Sequence, residues 1–194
     1  GDMQAASLNA APISGPKTVV VLRVYFNDYA NASLFTQAEV QALFDRLNTL
    51  WRNTSYDKIS IVHRVSALYQ LPSNRSAYID DFADGDLSNG GKYQKVLNDA
   101  VANAPGTVNF SGADAVFVLM AETSNAQFHR GQANKCSLPI GAGGANRTVG
   151  CGIFSENPSE NPSENPDRRW GRWAHEMGHA FQAGGPAHPS NYNS

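Results

Sequence analysis

Charge is scarce in this sequence. Only 16% of its 194 residues are Asp, Glu, Lys or Arg, and they sum to a net charge of −2. No Lys/Arg cluster stands out, which argues against nucleic acid or an anionic membrane surface as a partner. Long apolar runs are missing as well. The longest, Val19 to Val24, is interrupted by Arg23. It falls far short of a membrane span and reads as a strand. Cysteine is nearly absent: Cys136 and Cys151 are the only two. An even pair around a glycine-rich, polar loop predicts a disulfide across that loop, worth roughly 3 kcal/mol through loop entropy. Two free core thiols are the alternative. Lys and Glu are few, while Asn, Ser, Gly and Ala are many. With a disulfide, that balance leans towards a secreted protein. No signal peptide is visible; Gly1 in place of an initiating Met reads as a cloning scar, ahead of which a signal would have been trimmed.

What is present suits one domain, or one domain with a small satellite lobe. Residues 1–16 are small, polar and proline-containing, and read as a leader or linker before a domain over 17–194. Thr18 to Phe26 is β-branched and apolar, which predicts a buried strand. Thr36 is placed to cap a helix through Trp51. Glu39 stands at the capping-box position, and Val40, Leu43, Phe44, Leu47 and Leu50 share one face. Lys58 to Leu71 predicts one long strand or a hairpin, Lys92 to Asn103 a helix, and Ala113 to Glu122 a buried strand. Asn125 to Gly152 reads as irregular. Ser155 to Pro166 is Ser-Glu-Asn-Pro in tandem, and its recurring proline predicts a solvated loop. Arg168 to Ala183 predicts a helix stopped by Gly184-Gly185-Pro186. This order implies an α/β sandwich around a mixed, twisted sheet.

The last helix carries His175-Glu176-Met177-Gly178-His179. Histidines four apart lie one turn apart on the same face, so both rings can reach one ion at about 2.0–2.1 Å. Glu176, offset by about 100° around the helix, is placed to act as general base towards a water acidified by zinc. With 5 His and 6 Glu in the chain, a chance H-E-x-x-H is roughly a 0.4% event, so the pattern is informative. Trp170, Trp173 and Phe181 can bury the opposite face of that helix. A catalytic zinc needs a third protein ligand. Nothing after Glu176 is acidic, so His188 is the downstream candidate. The alternative is a ligand beyond Ser194. His63 and His129 read as packing or surface histidines.

At these residues the sequence resembles the metzincin-like zinc peptidases, particularly the immune inhibitor A and gametolysin types. Trp173 to His179 carries the resemblance most specifically. Asn53 to Ser60, leading into Ala67 to Pro72, looks like the Ser-Tyr-Gly-Lys, strand, Trp/Tyr-x-Leu-Pro passage of that group. Ala113 to Glu122 matches its last parallel strand before the active-site region. The resemblance implies a zincin fold, bound Zn2+ and a secreted endopeptidase acting on protein or peptide substrates. It also makes Tyr192 a candidate oxyanion stabiliser, with an ordinary surface tyrosine as the alternative. Gln182 stands where the family motif has glycine, and His188 comes three residues later than the third histidine of that motif. No methionine turn follows, so the C-terminal subdomain is expected to be short or missing.

In such enzymes an edge strand before the zinc helix pairs with extended substrate. The matching stretch here is Ile140 to Phe154, which is rich in glycine. A flexible surface loop is its alternative. Two other functions compete with the endopeptidase: a zinc hydrolase of another bond, and a non-catalytic binding module with a relic zinc helix. Oligomeric state is not encoded in anything legible here.

Overall fold

The computed structural model describes residues 13–28, 33, 35–78, 92–121, 132–156 and 167–181. Within these the chain runs β1 (Gly15–Tyr25), α1 (Gln37–Thr54), β2 (Ile59–Gln70), α2 (Lys92–Ala102), β3 (Ala115–Met120), β4 (Gln132–Leu138), β5 (Arg147–Ser155) and α3 (Asp167–Phe181). The strands form one sheet in the order β2-β1-β3-β5-β4. The first four are mutually parallel, and β4 is antiparallel to β5. This is a mixed α/β fold, as the element order implied.

The sheet is covered on both faces, so its central strands are continuous apolar runs and do not alternate. All six residues of β3 are buried, as are Val19 to Val24 of β1. One face of the sheet packs on α1 and α3 through Val40, Phe44, Leu47, Trp173, Met177 and Ala180. The other receives Tyr93, Val96, Leu97 and Ala100 of α2. α1 begins with the expected capping box: Thr36 Oγ1 accepts from the Glu39 N–H at 3.2 Å, and Glu39 Oε2 accepts from the Thr36 N–H at 2.7 Å. The bonds that Oε2 accepts from the Thr36 N–H and hydroxyl hold the Glu39 carboxyl below its ordinary value. No helix among the described residues is long and apolar enough to cross a membrane.

Three expectations need correction. The stretch read as irregular contains two strands, β4 and β5. β5 is interior, bonded to β3 on one side and β4 on the other, so Ile140 to Phe154 has no free edge to offer a substrate. Among the described residues the outer strands are β2 and β4. The Cys136–Cys151 disulfide does form, with Cα atoms 5.8 Å apart. It joins two paired strands, since Asn134 faces Cys151 and Cys136 faces Val149. Finally, the start of the Ser-Glu-Asn-Pro repeat is not solvated. Ser155 and Glu156 are buried, 1% and 0% exposed. The rest of the repeat lies outside the described residues.

The reason for that burial is Arg23. The charged residue that interrupts the apolar run of β1 stays buried, at 3% exposure. Its guanidinium lies 3.5 Å from Glu156, donates to Ser33 Oγ at 2.8 Å, and also donates to the Phe35 carbonyl. Ser33 Oγ in turn meets both Glu156 oxygens at 2.9 Å. At a bulge in the β1–β2 register, the Arg23 N–H donates to Ser66 Oγ at 2.9 Å. A buried charge persists only with such a set of partners.

Candidate metal and hydrolase site

α3 sits against the sheet because of what lies beneath it. A Cβ built on Gly150 of β5 would come within 2.8 Å of the Ala180 carbonyl and 3.1 Å of Ala115 Cβ. Glycine at 150 therefore permits the helix to approach β5 closely. Trp173 anchors the same face, its ring 5.9 Å from Phe154 and 6.0 Å from Phe44. Phe181 meets Trp51 edge-on at 5.8 Å. These contacts fix the rotation of α3: Trp173, Met177 and Ala180 point inward, and His175 points outward.

His175 and His179 come together on the outer side, ring centroids 4.9 Å apart and planes at 76°. Their Nε2 atoms are 3.2 Å apart. Two Zn–N bonds in tetrahedral arrangement put their nitrogens about 3.3 Å apart. The pair thus fits two sites of one zinc, and the same distance suits a shared proton in the metal-free chain.

Glu176 turns towards β4. The Ala133 N–H of β4 lies near enough to act on its carboxyl. In the metal-free chain, burial pushes the Glu176 carboxyl up to about 7, with the Ala133 N–H pulling the other way. Tyr93 of α2 is close enough to feel it. Burial raises the Tyr93 hydroxyl well above its ordinary value; the bond from the Ile153 N–H, at 3.2 Å, opposes that rise, and the charge of Glu176 adds to it.

Of the residues expected at the site, the structure brings together His175, Glu176 and His179. His188, Tyr192 and His129 lie outside the described residues. Among the described residues no three His, Cys, Asp or Glu side chains gather as a metal would need. His63 is on β2, the edge opposite β4, where it bonds Asp45 at 2.8 Å. The stretch around Tyr56 has a structural role. Tyr56 and Asp57 take positive φ in the turn after α1, and Ser55 Oγ accepts from the Ile59 N–H at 2.9 Å. Sequence reasoning missed Ala133, because a backbone N–H on an edge strand leaves no mark in residue identity. The nearby Cys136 was the one available signal that this segment is ordered.

No family model and no curated protein matches the chain. Among solved structures it is similar to archaemetzincin from Methanopyrus kandleri, at 16% identity and a TM-score of 0.42, covering 93% of this chain and 80% of that one.

Proposed function

We propose that this chain is a zinc-dependent peptide hydrolase, secreted and cutting within chains, with His188 as third ligand. The observation that carries the reading is the joint placement of three side chains. Two Nε2 atoms lie 3.2 Å apart on α3, and the intervening Glu176 faces β4 near the Ala133 N–H. His175 and His179 would hold the metal through those nitrogens. Zinc, when bound, supplies a Lewis acid for the scissile carbonyl and acidifies a water. Glu176 takes and returns the proton at its carboxylate. The Ala133 N–H acts on that carboxylate, and partial burial limits competition from bulk water. Among the described residues no strand pairs with the outer side of β4, where an extended peptide could add.

The test pairs metal content with turnover. After reconstitution at neutral pH, elemental analysis should find one zinc per chain. Glu176→Gln should keep that zinc and lose peptide hydrolysis by about 10²–10⁴-fold, the usual contribution of a general base. A chain that takes up no transition metal, or a Gln variant as active as the parent, would defeat the proposal.

A further inference from the structure

The cleft between α3 and β4 does not stop at the three side chains above. α3 packs against β4, with Glu176 near Ala133. One helical turn later, Ala180 lies over Gly150, and Gly150 is paired with Lys135 of β4. Four helical residues advance about 6 Å and two strand residues about 6.7 Å, so helix and strand keep step along the cleft. At that second position the surface opens into a cavity of about 370 Å³. Lys17, Asp114, Lys135, Arg147, Ala180 and Phe181 are among the residues lining it.

The lining is cationic. Lys17, Lys135 and Arg147 come from three different strands, and Asp114 is the only acid among the lining residues. Its carboxylate is engaged by the Thr18 N–H at 2.7 Å. Arg147 donates to the Ala113 carbonyl at 3.2 Å, and not to the end of α3. Neither lysine forms an ion pair with a described residue. A surplus of positive charge is thus gathered beside the cleft of a chain whose net charge is −2. Such a pocket attracts an anion and rejects a cation.

We infer that this cavity receives the carboxylate side chain of a peptide lying along β4, about two residues from the bond that reacts. The chain then selects acidic peptides, with Asp or Glu at that position. This rests on the peptide-hydrolase reading, and deepens it by naming a substrate class.

Two peptides that differ only by Glu or Gln, two residues to either side of the cleaved bond, test it. Turnover is measured on the zinc-loaded chain. Affinity is measured by calorimetry on Glu176→Gln, which reads binding without reaction. The Glu peptide should be favoured by about tenfold in both, the scale of one charge-assisted contact. The preference should shrink in about 0.5 M salt and invert in Lys135→Glu. Arg46→Glu, the same charge change on the exposed side of α1, should leave it in place. Equal affinity and equal kcat/KM for the two peptides would overturn the inference. So would an equal shift from Arg46→Glu, which would mark a general field and no pocket. Tighter binding of the Glu peptide with no cleavage of either would sustain the pocket and defeat the hydrolase reading. Cleavage of both at equal rates would do the reverse.

Discussion

Glu156 and Glu176 are two glutamates of one chain treated in opposite ways. Glu156 is fully buried but completely provided for: Arg23 faces it at 3.5 Å and Ser33 Oγ meets both of its oxygens. Glu176 is only partly buried, yet among the described residues the one group that lowers its carboxyl is the Ala133 N–H, and burial pushes it up to about 7. The first arrangement locks the end of β5 to β1. The second leaves a carboxyl exposed to its surroundings, with a proton it can exchange. Burial alone does not distinguish a structural acid from a reactive one. What distinguishes them here is whether a fixed cation has been built opposite.

The sharpest way to break the contrast is to remove that cation. Arg23→Met leaves Glu156 buried without a counter-charge, and should cost about 3–5 kcal/mol of stability, the usual penalty for halving a buried pair. The double variant Arg23→Met/Glu156→Leu should recover most of the loss. Urea denaturation measures both. A single variant that costs under about 1 kcal/mol would show that the pair does not clamp the strands.

A second test uses pH on the metal-free chain. The Glu176 carboxyl has a folded value of about 7 against an ordinary 4.5. Between those values the folded chain holds a proton that the unfolded chain has released. The associated stability is therefore present below about pH 4.5 and lost as pH rises through about 7. Relative to the parent, Glu176→Gln should gain up to about 3 kcal/mol between pH 4 and pH 8. Denaturation midpoints of the two chains across that range provide the measurement. A difference that does not change with pH would mean that Glu176 is not desolvated.

Much of this was legible in the residues. The capping box at Thr36 and Glu39, the apolar run of β3 and the His175–His179 spacing are local patterns, and each element formed where its pattern lies. What was not legible depends on partners distant in sequence. β5 takes its interior place from β3 and β4, so its glycines could be misread as an invitation to substrate. Arg23 appeared as an interruption, because its answering charge lies 133 positions later, in a repeat whose composition suggests solvent. The group of β4 that acts on Glu176 is a main-chain N–H, and the sequence records side chains only.

The smallest expected effect is the most selective. Gly150 is where β5 lets α3 come close, and a methyl group there would meet the Ala180 carbonyl at 2.8 Å. Backbone cannot swing aside as a flexible side chain can, so Gly150→Ala must lift the last turns of α3 or bend β5. The cost should be about 1–3 kcal/mol, typical of one methyl forced into a packed interface. The consequence should fall on one glutamate and spare the other. Lifting α3 exposes Glu176, so burial, the largest cause, raises its carboxyl less; the weakened pull of the Ala133 N–H opposes this as the smaller cause, and the pH dependence described above should flatten. Glu156 lies at the far end of β5, beyond Ser155, with its partners on β1 and at Ser33, and the Arg23→Met penalty should be unchanged in the Gly150→Ala background. Measuring both quantities in that background separates the two sites. If the penalty and the pH slope fall together, the two glutamates belong to one cooperative unit, and the division between a locked acid and a poised one is wrong.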